Sequence, residues 1–196
     1  MEKKNYPAIY RIMHWMIAIC MTLLFITIFL RLGWMNKGDM ATIIETSAKT
    51  NHPTFTSGEA TAIARSIRYP MWIWHIYIGY VLVGLFSIRF MLPFFRQMKF
   101  QNPLKNGLST KQRFQYWIYL VFYACVTTSF VTGLFLEFGP ESLEHMMEDI
   151  HVLSIYYLLA YIILHIGGVL IAELTNDQGL VSRIISGGKK EGENIT

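Results

Sequence analysis

Four apolar runs, at residues 12–32, 71–95, 114–138 and 150–172, constrain this chain more than any other feature it has. Each reaches the ~20 residues needed to cross a hydrocarbon core roughly 30 Å thick as a helix, and each is almost free of charge in its middle. Inside such a layer no water satisfies the peptide groups, so a lone apolar segment has to be an α-helix. The expectation is an all-α, integral membrane four-helix bundle, a single domain over residues 1–196. The composition agrees: 53% of the residues are apolar and 15% charged, against about a quarter charged in a soluble domain.

The charges fix an orientation. The link between the second and third runs carries Arg89, Arg96, Lys99, Lys105, Lys111 and Arg113 and no acid. The link between the third and fourth carries Glu137, Glu141, Glu144, Glu148 and Asp149 and no base. Basic loops stay in the cytoplasm, so both termini are expected there, with the acidic loop and the long first loop (residues 33–70) on the other side. The pI near 9.0 then reflects membrane topology rather than nucleic-acid binding, which is set aside. The basic start (Lys3, Lys4, Arg11) precedes an apolar run too long for a cleaved signal and lacking a small-residue cleavage site, so it reads as a retained first span. The first loop is expected to hold a helical stretch from Ser57 leading into the second span, and the tail after Ala172 to be polar and mobile.

Two cysteines, Cys20 and Cys125, lie in apolar runs without a CxxC or CxxCH pattern. They build no disulfide framework and no covalent c-type haem attachment.

The chemistry is concentrated in histidine. Of six, His14, His75, His151 and His165 lie in or at the edge of the apolar runs, where ionisable side chains are costly and tend to be functional. Neutral imidazoles, often two per iron, hold the haem of b-type cytochromes, so four suit two non-covalent bis-histidine b haems. On one straight helix His151 and His165, 14 residues apart, fall about 40° short of four full turns and share a face, at a separation of roughly 21 Å along the axis. Depth then pairs the ligands: His14 with His165 toward the cytoplasm, His75 with His151 toward the outside. A single such histidine could instead hydrogen-bond a carbonyl or serve a proton relay; four that match pairwise in depth favour iron. His52 and His145 read as surface residues, His145 being the first substitute for His151.

Other residues fit the same picture. Gly79 and Gly168 lie one turn after His75 and His165 and would admit a flat macrocycle, although glycines also serve plain helix packing. Arg11, one turn before His14, and Arg68, two turns before His75, are candidates for propionate contacts, with interfacial snorkelling as the alternative. Trp15, Trp72, Trp74 and Tyr77 suit an interfacial aromatic belt.

These elements resemble the bacterial di-haem cytochrome b family, which includes superoxide oxidase and the cytochrome b subunits of nickel–iron hydrogenases. The matching residues are Tyr10-Arg11-Ile12-Met13-His14-Trp15, His75 with Gly79, Tyr119 with Gly133, the His151–His165 spacing, and Val181-Ser182-Arg183-Ile184-Ile185-Ser186-Gly187. The resemblance implies a bundle in the bacterial inner membrane, two b haems held by His14, His75, His151 and His165, and electron exchange with ubiquinone or menaquinone. The first outer loop is longer than in the compact superoxide-oxidising members.

Three functions compete. One is an electron conduit between the quinone pool and an outer partner, either a basic periplasmic c-type cytochrome attracted by the acidic loop or another redox subunit. The second is a superoxide:ubiquinone oxidoreductase, entered past Lys37, Lys49, Arg65 and Arg68. The third is a haem-free transporter or proton channel that uses the buried histidines.

Overall fold

The computed structural model describes residues 7–95, 102–175 and 178–187. Every element among them is helical: α1 (Ala8–Leu32), α2 (Lys37–Lys49), α3 (Ser57–Met91), α4 (Thr110–Phe138), α5 (Glu144–Val152), α6 (Ser154–Thr175) and α7 (Leu180–Ser186), with 3-10 turns at Leu92–Phe95 and Glu141–Leu143. Four stretches are long and apolar enough to cross a membrane: Ala8–Leu32, Ser57–Phe95, Thr110–Phe138 and Glu141–Thr175. Few apolar side chains are buried, Phe86 and Val126 among them, while Ile12, Ile19, Ile26, Leu120, Ile163 and Ile171 point outward. Outward-facing isoleucine and leucine along every long helix suit lipid as solvent. Lys3, Lys4, Arg96, Lys99 and the lysines of the Gly-Gly-Lys-Lys tail lie outside the described residues.

The helix starts follow local chemistry. Pro7 precedes α1 and its carbonyl accepts from Tyr10 N at 3.0 Å. Thr56 and Glu59 close a capping box at α3, with Thr56 N–H on Glu59 Oε2 (2.8 Å) and Glu59 N–H on Thr56 Oγ1 (3.2 Å). Ser109 and Gln112 do the same for α4. Removing such a cap costs about 0.5–2 kcal/mol, which matters most where a helix has to begin in the polar layer.

The helical stretch expected from Ser57 is present, and α3 runs 35 residues through Pro70. At 1.5 Å per residue it is ~50 Å long, more than the roughly 30 Å core needs. Its first turns, bearing Glu59, Arg65 and Arg68, therefore stand outside the apolar layer. Pro70 has no N–H to donate to the preceding turn and marks that transition.

The chain divides into two compact units: Met1–Trp15 with Arg89–Thr196, and Met16–Ile88. In the second unit, α2 occupies the first loop, where sequence reading placed no helix before Ser57. Asn36 caps it through its side chain on Gly38 N–H (2.9 Å). Glu45 ties α2 to the start of α3 by accepting from Lys49 Nζ (2.6 Å) and Ser57 Oγ (2.8 Å).

Two departures from expectation fall in the first unit. The fourth apolar run is two helices, because Leu153 interrupts the helix between α5 and α6. Its N–H reaches back to Ile150 O (3.2 Å) and its carbonyl accepts from Tyr156 N (3.1 Å), three-residue bonds that tighten the turn. His151 thus sits in the last turn of α5 and His165 in α6, so the two do not ride one straight helix. Leu153 is an ordinary helix former, so periodicity does not register the break.

The tail expected to be mobile also contains structure. Gly179 at φ +83° turns the chain into α7, and Gly187 at φ +90° ends it; both conformations favour glycine. The Glu173 carboxylate accepts from Gly179 N–H (2.7 Å) and Val181 N–H (3.0 Å), which anchors the start. At the other end Arg11 Nη1 donates to Ile185 O (3.1 Å) and Trp15 Nε1 to Ile184 O (3.4 Å). These are terminal helix carbonyls, which favour cations and donors.

Hydrogen bonds from Lys49 and then Ser57 hold the Glu45 carboxyl below the ordinary glutamate range. A depressed carboxylate contributes its contact fully above that range and loses it as pH falls through the lowered pKa. NMR titration of the side-chain carboxyl should place the Glu45 midpoint low, and Lys49→Met should move it up. A midpoint that ignores the substitution would remove this ion pair from the account.

Candidate haem-binding histidines

The structure brings His14, on the second turn of α1, against His165 in α6, with ring centroids 6.0 Å apart and planes at 47°. That separation can be tested against an iron ion. With metal–nitrogen bonds of about 2 Å and ring centres about 1 Å behind their nitrogens, two axial imidazoles stand roughly 6 Å apart. The ring separation of this pair is close to that distance. Among the described residues no group of three or more His, Cys, Asp or Glu could hold a bare ion. Two imidazoles suffice where a porphyrin supplies the other four ligands.

His165 is walled by aromatic side chains that the sequence reading did not single out. Tyr161, one turn earlier on α6, stacks on it at 5.6 Å and 12°. Phe122 of α4 stacks on Tyr161 in turn, at 3.6 Å and 16°. The i, i+4 spacing of Tyr161 and His165 was the available signal. Arg89, at the end of α3, donates from Nε to Tyr123 OH at 2.7 Å.

His75, on α3, lies in the other unit. Its Nδ1 meets Thr27 Oγ1 at 2.8 Å. The threonine hydroxyl has one proton, and at 2.6 Å it donates that proton to Leu24 O. It therefore accepts from His75 Nδ1–H, which fixes the tautomer and puts the lone pair on Nε2. Trp72 stacks parallel on the imidazole (5.0 Å, 1°), and the Arg31 guanidinium lies 4.3 Å above Trp72. Arg68 keeps a buried Nε with no hydrogen-bond partner among the described residues.

His151 reaches the same state by other contacts. Its Nδ1 lies 3.1 Å from Ser129 O and 3.1 Å from Thr132 Oγ1. A carbonyl only accepts, so Nδ1 carries the proton and Nε2 again carries the lone pair. Thr132 is itself buried and donates to Thr128 O (2.9 Å). A Cβ at Gly133 would come within 2.9 Å of His151 Cε1, so this glycine makes room for the ring. Thr27, Ser129 and Thr132 are the residues that sequence reasoning missed. Their only signal was a hydroxyl in an apolar run.

A Cβ at Gly79 or Gly168 would meet nothing within 4 Å; neither glycine is therefore needed for close helix packing in this structure, and both leave space beside a histidine turn. Arg11 has Nη1 on the end of α7, while its Nε is buried and has no hydrogen-bond partner among the described residues. His145 pairs with Asp149 (3.2 Å) on an exposed face of α5, and His52 is exposed after α2. Both have the surface character expected of them.

Four helices long and apolar enough to span a membrane, three of them carrying histidine, are the frame of a membrane cytochrome. Residues 5–187 match the family model described as prokaryotic cytochrome b561, and the chain belongs to that family. It is a multi-pass membrane protein of bacterial type that binds haem b and transfers electrons. Comparison with curated proteins and with solved structures returned no match.

Two substitutions test the local geometry without reference to turnover. Gly133→Ala drives a methyl into the His151 ring and should destabilise the detergent-solubilised protein by about 1–3 kcal/mol. Thr27→Val keeps the shape but strands the His75 Nδ1–H, at a similar cost of about 1–3 kcal/mol. Equilibrium unfolding in mixed micelles reads both; wild-type stability in either variant would refute the corresponding contact.

Proposed function

We propose that the chain is a di-haem b cytochrome that carries electrons across the bacterial inner membrane, between a redox partner at the outer surface and the quinone pool. The observation that carries this reading is the His14–His165 ring separation of 6.0 Å, which suits two axial ligands on one iron. These residues hold the haem toward the cytoplasm. His75 and His151 hold the second, toward the outside. That pairing rests on their order and depth along the chain, and each presents Nε2 because Nδ1 is already bonded.

Haem b supplies a one-electron carrier whose potential depends on its axial ligands and their hydrogen bonds. The chain's own residues do the rest. Ser129 and Thr27 take the Nδ1 protons and aim the rings. Gly79 and Gly168 leave flat space for a macrocycle, and Arg68, with its unpartnered Nε, suits a propionate. Ubiquinone or menaquinone is the membrane substrate, approached from the basic side near Arg89, Lys105, Lys111 and Arg113.

Both termini are assigned to the cytoplasm on the asymmetry of the loops. Glu137, Glu141, Glu144, Glu148 and Asp149 are then outside and all exposed, apart from the half-buried stretch at Met147. This surface attracts a basic c-type cytochrome or a redox subunit of similar charge.

A second reading, superoxide oxidation coupled to ubiquinone reduction, is favoured by the Arg31–Trp72–His75 stack. Together with Arg68 it puts cationic groups near one histidine, where an anionic substrate could approach.

Haem extraction and quantitation should give two haems per chain, falling to one in His165→Ala and in His151→Ala. Two haems retained in both variants would sink the ligand assignment. Reduction of a basic c-type cytochrome should slow as ionic strength rises, roughly tenfold or more between low and physiological salt. Salt-independent reduction, with haem reduction on mixing with superoxide, would instead select the second reading.

A further inference from the structure

Three side-chain hydroxyls line up beside His151, and their protons can be counted. Ser154 Oγ donates to His151 O. Ser129 Oγ donates to Ser154 Oγ at 3.0 Å. Ser129 has then used its one proton, so its contact with Tyr157 OH has the phenol as donor. The order is fixed in one direction: Tyr157 to Ser129, Ser129 to Ser154, Ser154 to the carbonyl of His151. Three hydroxyl protons end on one carbonyl, and no donor in the chain is left over.

The circuit closes on itself. The same Ser129 whose hydroxyl feeds this chain offers its backbone carbonyl to His151 Nδ1 (3.1 Å). Ser129 therefore grips His151 at both ends, the ring directly and the backbone through Ser154. The backbone end is where the helix breaks, since Leu153 separates α5 from α6 two residues after His151. A regular helix would give His151 O a main-chain donor from the following turn. Here the N–H of Leu153 and the Ser154 hydroxyl both reach His151 O at the break. In a hydrocarbon layer such a chain has no water competing for it, and each bond polarises the next.

We propose that Tyr157, Ser129 and Ser154 are positioning residues: their hydrogen-bonded chain holds the α5–α6 break and thereby sets the plane and pitch of the His151 imidazole. The proposal rests on reading His151 as a haem ligand. It adds that the environment of one haem is tuned from a phenol on the next turn of α6, through bonds that touch neither the iron nor its substrate. Orienting groups of this kind alter a metal site's electronics without changing its ligand set.

The test uses the full chain, purified with its haems, and the variants Tyr157→Phe, Ser154→Ala and Ser154→Thr. Thr128→Val is the control, because the Thr128 hydroxyl makes only a bond within its own helix, to Ala124 O (3.0 Å). Three quantities are measured: haem per chain, the low-spin ferric EPR signals, which report ligand-plane orientation, and the two midpoint potentials.

The expected result is unchanged haem content, with one EPR signal and one midpoint shifted in Tyr157→Phe and Ser154→Ala. Ser154→Thr should return both to the wild-type values, and Thr128→Val should leave everything in place. Signals and midpoints equal to wild type in both hydroxyl deletions would overturn the proposal, as would equal shifts at both haems. Should Tyr157→Phe lose haem, the Ser154 pair decides: alanine shifted with threonine restored supports the proposal, and two variants that behave alike overturn it. A His151→Ala chain that keeps both haems brings down the ligand reading itself, a failure distinct from silent hydroxyl variants in a chain whose His151 is needed for the second haem.

Discussion

A neutral imidazole placed among hydrocarbon tails has two nitrogens to satisfy and no water to do it. One nitrogen has a proton to give and the other a lone pair, and an unmet polar group at that depth costs several kcal/mol. His75 and His151 meet the first demand within their own units, through Thr27 and Ser129. The lone pair is then on Nε2, the atom that would bind the iron on the proposed ligand reading. The second demand is thus a consequence of how the first was met: a hydrogen bond on Nδ1 selects the tautomer, and the tautomer selects the ligand atom. On the proposed reading His14 and His165 would share one ion, and their rings stand 6.0 Å apart.

The two arginines that looked equivalent in sequence have different surroundings for a related reason. Arg11 lies near the C-terminal end of α7, whose carbonyls lack helical partners, and its Nη1 serves Ile185 O. Both arginines keep a buried Nε without a hydrogen-bond partner among the described residues, so that one contact is the difference. Position relative to a helix, one or two turns before a histidine, did not separate them. What separated them was a helix 174 residues away in the chain, in a tail whose composition suggested no structure. The local cause of that helix is nevertheless visible: Gly179 and Gly187 bracket it in left-handed conformations, and Glu173 holds its first amides.

The apolar spans, their number and the helical stretch from Ser57 were legible because length and hydropathy sum along the chain. The histidines were legible because ionisable groups stand out in apolar runs. The supporting hydroxyls were not, because Thr27, Ser129 and Thr132 look like any other small polar residue that a membrane helix tolerates by bonding its own backbone. Thr128, on the same helix as Ser129, does only that. The difference between the two is which face meets His151, and a sequence carries no direct sign of it. The break at Leu153 escaped too, since leucine has no preference for ending a helix.

The break also changes what a histidine spacing means. On a straight helix the 14 residues between His151 and His165 set their angle and their separation together, so neither ring can be adjusted without moving the other. With α5 and α6 as separate helices, the pitch of His151 is free of the α6 axis and has to be set by something else. Ser129 sets it, through its carbonyl on the ring and its hydroxyl chain on the backbone, and Gly133 clears the space that the ring needs. A helix interruption at a ligand is therefore a degree of freedom rather than a defect: one histidine stays fixed to its span while the other answers to local hydrogen bonds. On the proposed di-haem reading, two haems held by histidine would take different potentials by this means, and a difference in potential would give electron flow between them a direction.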